Sequence, residues 1–166
     1  SSAFAIRPGD FLSESALESE SVRSAEIMRN KGFYTFNKNN YFFEADTISF
    51  PGSAILKLTV NEYTRNELPR DAEPIRRFKI NDVSITYPKT MKVREKVLED
   101  LNLIKPGENY SERIVNNTYS RFSSLKMFST VNVGMTQVDT NLVNCEISLS
   151  QSKTQGFKVN LEASSN

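Results

Sequence analysis

Hydrophobic and polar positions in the first third of the chain follow two periods in succession. Residues 13–31 contain no Pro or Gly, place their apolar side chains on one arc of a helical wheel, and stop at Gly32. They predict a helix. The aromatic stretch 33–50 and the alternating stretch 54–63 flank the turn Pro51-Gly52-Ser53, and together they predict a hairpin of two strands.

The second half changes period in the order strand, helix, helix, strand, strand. The predicted elements are a strand at 76–88, a helix at 89–104 with Thr90 as N-cap, a helix at 111–126, and strands at 129–138 and 141–150. Apolar positions in the first of these strands change parity at Asn81-Asp82, which predicts a bulge. Two helices on one face of a three-stranded mixed sheet make a two-layer α+β fold.

Composition narrows the possible functions. The 166 residues are 38% apolar, enough for a packed core, and their net charge of +1 gives no electrostatic case for nucleic acid. The chain has no His, so the commonest general base and the usual zinc ligands are missing. Glu44 and Asp46 share a strand face but have no partner that would activate water. Cys145, the single cysteine, lies on an inward strand face and predicts a buried structural thiol. We therefore assign no catalytic, cofactor-binding or metal-binding residue.

One short sequence occurs twice. "IRPGDFLSE" begins at Ile6 and "IKPGENYSE" at Ile104, with Ile, Pro, Gly, Ser and Glu at matching positions. At the same spacing Arg23 matches Arg121 and Ile27 matches Leu125. Because the second copy joins two predicted helices, the first copy should do so too, and the first strand and helix of its unit would precede Ser1.

The repeat predicts a tandem organisation. We expect a partial unit at 1–64, a Pro-containing polar linker at 65–75, and a complete unit at 76–151. The last strand of the partial unit, 54–60, should then have an unpaired edge. A second chain, a neighbouring molecule or residues 1–5 would cover that edge.

These elements, in this order, resemble the polypeptide-transport-associated (POTRA) domain of BamA- and TamA-like outer-membrane assembly and translocation proteins. Several stretches look like the variant of Bacteroidetes surface-antigen proteins: "SVRSAEIMRNKGFYTFNKNNYFFEADT", "FKINDVSITYP", "IKPGENYSERIVNNTYSRFSSLKMFSTVNVGM" and "LVNCEISLS". The tail 152–166 resembles the lead into the first strand of a C-terminal β-barrel, which is absent from this chain. The resemblance implies tandem POTRA units, the first truncated at its N-terminus.

The resemblance also implies a role without catalysis or cofactors, at the periplasmic face of the outer membrane. The expected partners are unfolded or extended outer-membrane protein clients, accessory envelope proteins and the barrel of the same protein, with no nucleic acid. Clients would bind by β-augmentation, the addition of an extended segment to a sheet edge. A dedicated docking module for one envelope partner is the alternative, and a carboxylate-dependent hydrolase is disfavoured.

In this fold the last strand is central, so the penultimate strand should be the exposed edge. Gly134 within that strand marks either a close backbone approach or a bulge without function. The candidate client-binding residues are Thr130, Val131, Asn132, Val133, Gly134 and Met135.

Overall fold

The computed structural model describes residues 4–61 and 74–151. These residues form two compact units. The first contains residues 4–61, 74–78 and 109–112, and the second contains residues 79–108 and 113–151. The predicted linker at 65–75, up to residue 73, and the predicted lead-in segment at 152–166 lie outside the described residues.

The described residues of the first unit form an α-helix, a short 3₁₀ helix at Lys38–Asn40 and the predicted hairpin. Helix α1 spans Glu14–Asn30, and the Ser13 side chain caps it by accepting the Ala16 N–H at 3.2 Å. Strands β1 (Tyr41–Asp46) and β2 (Ile55–Val60) pair antiparallel, with Tyr41 opposite Val60 and Asp46 opposite Ile55.

The interior of the first unit is unusually polar. Its buried apolar residues are Ala25, Phe36, Phe78 and Tyr110, and its buried polar residues are Glu20, Ser21, Ser24 and Asn40. The Glu20 carboxylate is 4% exposed and accepts hydrogen bonds from the Ala5 N–H, the Arg23 guanidinium and the Ser24 hydroxyl. A small apolar core therefore relies on a satisfied polar network, which is stabilising only while every member is paired.

The second unit is the predicted α+β arrangement. Strands β3 (Lys79–Thr86), β4 (Phe128–Asp139) and β5 (Leu142–Gln151) form a mixed sheet in the order β3-β5-β4. Strand β5 lies parallel to β3 and antiparallel to β4. The register between β3 and β5 shifts between Ile80 and Asp82, which confirms the predicted bulge.

One face of this sheet forms the core of the second unit. Alternate residues of β5 are buried, and helices α2 (Glu95–Leu101) and α3 (Glu112–Ser123) add Leu98 and Phe122 to the same core. The rings of Phe122 and Phe128 meet edge to face at 6.0 Å. The buried side chains on β5 are Val143, Cys145, Ile147 and Leu149.

Helix α2 begins later than the sequence predicts. Thr90 is not its N-cap; that position belongs to Arg94, which makes no side-chain capping bond. Residues 88–91 instead form a turn in which the Met91 N–H donates to the Pro88 carbonyl at 2.9 Å. Met91 is buried. Burial of this side chain offsets the weaker local preference for starting the helix at Thr90.

The two copies of the repeated sequence adopt the same local structure. Gly9 and Gly107 both have positive φ, 95° and 85°, and α1 and α3 begin at the matching residues Glu14 and Glu112. The Ala5 N–H donates to Glu20, and at the matching positions the Leu103 N–H donates to Thr118. The repeat inferred from the amino-acid sequence is therefore also a repeat of backbone geometry.

Strand β2 pairs only with β1 in the described part of the chain. Phe4 and Ala5 do not pair with β2: Phe4 contacts the Tyr41 ring and Ala5 bonds to Glu20. Residues 1–3 lie outside the described ranges, so the remaining alternatives for covering this edge stay predictions. No helix in residues 4–61 or 74–151 has the length and apolar character needed to cross a membrane.

Candidate functional site

Strand β4 is an edge strand of the second sheet, as predicted. It pairs with β5 on one side, and no strand pairs with its other side among the described residues. All six candidate residues, Thr130 to Met135, lie within it. An edge strand presents a row of backbone N–H and C=O groups that an added extended segment can engage.

The β4 edge lacks the usual protection against strand addition. From Phe128 to Val138 the sequence contains neither a charged residue nor a Pro. The register with β5 is irregular at both ends, between Phe128 and Thr130 and between Gln137 and Asp139, and regular between them. Natural edge strands are commonly blunted by charges, Pro or bulges. The regular span from Thr130 to Gln137 has none of these.

The opposite edge of the same sheet is covered at Ile80. The Ile80 N–H donates to the Glu108 carbonyl at 2.9 Å, and the Ile80 carbonyl accepts the Gly107 N–H at 2.7 Å. The Pro-Gly loop thus covers the outer edge of β3 at Ile80. Asp82 follows at the bulge. The two edges of one sheet therefore differ: β3 is covered by its own chain at Ile80, and β4 presents an uncharged regular span.

Side chains of β4 alternate between the two faces of the sheet. Val131, Val133 and Met135 are half-buried, while Asn132 and Gly134 are exposed. The exposed face continues on β5, where the partner of Asn132 is Ser148 and the partner of Gly134 is Glu146. A segment added to β4 would gain backbone hydrogen bonds beside a polar face and half-buried apolar side chains, a combination that tolerates many sequences.

Gly134 marks neither of the features that the sequence suggested. Its pairing with Glu146 is regular, so no bulge lies there. A Cβ added to Gly134 would meet the Glu146 carbonyl oxygen at 4.0 Å, an ordinary contact, so close approach within the chain does not require Gly either. The local structure leaves this position free to carry a side chain.

The carboxylates near the hairpin are engaged in ion pairing and loop structure. The hydrogen bond from Lys57 at 2.9 Å lowers the pKa of Glu44, and the Ser49 hydroxyl and backbone N–H groups lower the pKa of Asp46. A general acid needs a raised pKa, so neither group suits that role. Within the described ranges no cluster of three or more potential metal ligands occurs.

Two solved structures of Haemophilus proteins share this architecture. BamA from Haemophilus ducreyi lacking POTRA domains 1–3 matches 90% of this chain with a TM-score of 0.62 and 12% sequence identity. POTRA3-5 of Haemophilus influenzae BamA matches 89% with a TM-score of 0.55 and 11% identity. The chain has a POTRA fold. This likeness shows the fold alone at such low identity, and the chain spans 25% of the first structure and 52% of the second.

Sequence comparison finds no counterpart to these structural matches. No protein-family model matches the chain, and no curated protein matches it. The POTRA fold places the order β3-β5-β4, and with it the β4 edge, within a known architecture.

Two features of this POTRA fold were not predicted from the sequence. One is the pairing of the Pro-Gly loop with Ile80, which no local pattern signals because the partners are distant in sequence. The other is the exposure of Ile48 and Phe50 in the loop between β1 and β2. For that loop a signal was present: residues 47–56 contain no charge, in a chain that is 25% charged.

Proposed function

We propose that this chain is a scaffold module that binds extended polypeptide segments by adding them to the β4 edge. The observation that carries the proposal is the regular, uncharged and Pro-free span from Thr130 to Gln137 on an edge with no strand partner in the described residues. An edge of this kind is either an aggregation hazard or a docking site. Backbone pairing supplies affinity that depends weakly on the sequence of the bound segment.

The parent protein is proposed to be an outer-membrane assembly or translocation protein with this module on the periplasmic side. The POTRA fold supports this assignment, and the sequence stretches quoted above favour the Bacteroidetes surface-antigen type among BamA- and TamA-like proteins. The clients would be unfolded outer-membrane proteins, which expose alternating apolar and polar strands while they await insertion. No catalytic step is part of this function.

The direct test is an NMR titration of the full chain with a panel of unrelated peptides, each carrying one strand of an outer-membrane protein. We expect weak binding by many of the peptides, with shifts of the amides from Thr130 to Met135. Peptides with N-methyl groups on the edge facing β4 should not bind, since they cannot donate the required hydrogen bonds. Shifts confined to the loops, or equal binding of the N-methylated peptides, would contradict the proposal.

A pair of lysine variants tests whether peptides bind at the β4 edge or elsewhere on the sheet. Asn132→Lys adds a charge to the β4 edge, where strand addition would place the ammonium beside the bound segment, so we expect peptide affinity to fall severalfold. Ser84→Lys adds the same charge at an exposed position on β3. It should leave affinity unchanged. Equal effects of the two variants would indicate a general electrostatic influence instead of an edge site.

The same titration tests the alternative function, in which the chain is a dedicated docking module for one envelope partner. In that case one envelope protein should bind tightly while unrelated peptides leave the β4 amides unshifted. Such a result would replace the broad scaffold function with recognition of one fixed partner.

A further inference from the structure

Gly134 leaves a gap in the exposed face of the β4 edge strand. It lies between the exposed residues Asn132 and Thr136, and it is the only residue of the regular span Thr130–Gln137 without a side chain. A Gly inside a strand is less stable than an Ala, because the unfolded chain has more conformational freedom to lose. The stability of β4 therefore does not explain why this residue is Gly.

The backbone and the packing of the chain do not require Gly at this position either. The φ angle of Gly134 is not positive, and its pairing with Glu146 is regular. An added Cβ would have one neighbour within 4 Å, the Glu146 carbonyl oxygen at 4.0 Å. What the missing side chain changes is the exposed face, next to an edge that has no strand partner in the described residues.

The neighbouring side chains of β5 do not fill this gap. The Asn144 side-chain oxygen accepts the Asn81 amide at 2.8 Å, and the Ser148 hydroxyl accepts the Thr86 hydroxyl at 3.3 Å. Asn81 and Thr86 belong to β3, on the far side of β5 from β4. Both β5 side chains are therefore hydrogen-bonded away from Gly134.

We propose that a segment bound at the β4 edge places an aromatic side chain over Gly134, and that this contact fixes the register of the segment. Directly opposed residues project from the same face of a sheet, so the residue paired with Gly134 would lie on the exposed face. An aromatic ring there covers the bare backbone of an edge glycine. This inference rests on the proposed addition of clients to β4 and specifies which segments bind best, namely those with Phe or Tyr at one position.

The uniformity of β4 gives this contact its importance. The span from Thr130 to Gln137 contains no charge and no Pro, so backbone pairing alone would let a bound segment slide by two residues at little cost. Gly134 is the one interruption of that uniform row, and an aromatic residue opposite it favours a single register. The proposed clients suit this site, because strands of outer-membrane barrels carry aromatic residues near both membrane interfaces.

A set of peptides tests the aromatic contact. The peptides share one sequence, differ at a single position that carries Phe, Tyr, Leu or Ala, and are titrated into the full chain while its amides are followed by NMR. We expect Phe and Tyr to bind about two- to fivefold more tightly than Ala, with Leu between them, which is the size of a cross-strand aromatic contact.

Variants at Gly134 and on β3 show where that preference arises. In Gly134→Thr a branched side chain fills the gap, so the four affinities should become equal, and Gly134→Ala should reduce the preference part of the way. Ser84→Thr creates the same residue at an exposed position of β3 and should retain the full preference. Urea denaturation checks that each variant is folded.

A spin label at the peptide N-terminus reports the register. Moving the Phe by two residues along the peptide should move the broadened β4 amides by about 7 Å in the wild type and should not move them in Gly134→Thr. Equal affinities of the Phe and Ala peptides at β4, a preference that survives Gly134→Thr, or a label position independent of the Phe would overturn this inference and leave the scaffold function standing. Absence of any shift from Thr130 to Met135 would overturn both.

Discussion

At the scale of single residues, the two units place different chemistry at one equivalent position. Glu20 and Thr118 occupy matching places in α1 and α3, and each accepts an N–H from the segment before its helix, at 3.0 Å from Ala5 and 3.2 Å from Leu103. A short neutral hydroxyl does this in the second unit. In the first unit a carboxylate does this, and the Arg23 guanidinium donates to the same carboxylate.

Glu20 should make the stability of the first unit dependent on pH. Hydrogen bonding from Arg23 is the main reason that the pKa of Glu20 is lowered from its ordinary value of 4.5. A carboxylate with a lowered folded-state pKa stabilises the fold above its unfolded pKa, and this contribution is lost as pH falls through the folded pKa. We expect Glu20→Gln to lower the free energy of unfolding by about 1–2 kcal/mol at pH 7, because charge-assisted bonds become neutral ones.

Urea denaturation at a series of pH values checks this expectation. The difference between wild type and Glu20→Gln should shrink below about pH 4.5. Glu18→Gln is the matched control, because Glu18 pairs with Lys38 at 2.6 Å while largely exposed and so contributes little. A difference for Glu20→Gln that stays constant with pH would show that its charge is not involved.

Thr118 should stabilise the second unit through its hydroxyl. The side chain is fully buried, and Thr118→Val keeps its shape but removes the acceptor for the Leu103 N–H. We expect a loss of about 1–2 kcal/mol in the free energy of unfolding, since the N–H is left unpaired. Thr136→Val makes the same change at an exposed position on β4, and urea denaturation should show a change within about 0.5 kcal/mol. Equal effects of the two substitutions would show that the loss of stability comes from the strand or helix preference of Val and not from the missing hydroxyl.

At the scale of elements, the ends of α1 follow local rules and the start of α2 does not. After α1 the Gly32 N–H donates to the Arg29 carbonyl and the Phe33 N–H to the Met28 carbonyl, which is a Schellman motif. Gly32 was predicted as the stop signal, and Ser13, predicted as the first helical residue, is the N-cap. The start of α2 depends on the burial of Met91, which no local pattern contains.

Two glycines in different elements should respond oppositely to Ala. Gly32 has φ of 104°, a conformation that L side chains rarely adopt, so Gly32→Ala should lower the free energy of unfolding by about 1 kcal/mol. Gly134 has ordinary contacts for an added Cβ, so Gly134→Ala should raise it by about 0.5 kcal/mol, because Ala fits a strand better. Urea denaturation of both variants measures the signs, and a clear loss at Gly134 would reveal a constraint on β4 that its contacts with β5 do not show.

At the scale of the whole molecule, the two units distribute apolar burial unequally. Among the described residues, ten apolar side chains are buried in the second unit and four in the first, where a polar network lies beside them. The ten buried apolar residues of the second unit are Ile80, Met91, Leu98, Ile104, Phe122, Phe128, Val143, Cys145, Ile147 and Leu149. Hydrophobic burial therefore dominates the stability of the second unit, and satisfied polar groups have a larger share in the first.

Cys145 should report the opening of the second unit. Burial raises the pKa of its thiol to about 11, so at pH 8 the native protein presents almost no thiolate, and a reagent cannot reach the buried sulfur. We expect labelling by a disulfide reagent to be slower than in urea-unfolded protein by about a thousandfold or more. Because Cys145 is the only cysteine, the signal is unambiguous. Fast labelling of the native protein would show that the Cys145 thiol is not buried in solution.

The sequence by itself determined the features that depend on neighbouring residues or on strict repetition. Helix α1 with its caps, the hairpin, the bulge after Ile80 and the inward face of β5 all follow from period, turn residues and capping residues. The repeated "PGD" and "PGE" stretches predicted that α1 and α3 are equivalent helices, because the same residue types at the same spacing favour the same backbone geometry. The placement of the last strand at the sheet centre came from the resemblance to POTRA domains, since periodicity carries no strand order.

The tertiary structure alone decided which groups meet across long separations. It showed that the Pro-Gly loop covers β3 at Ile80, that Glu20 and Thr118 hold equivalent backbone groups, and that α2 starts beyond the buried Met91. It also showed that Gly134 is regular and that Ile48 and Phe50 are exposed. The physical reason is common to all of these: hydrogen-bond satisfaction and burial are properties of the packed chain, and a local pattern describes one side of each contact.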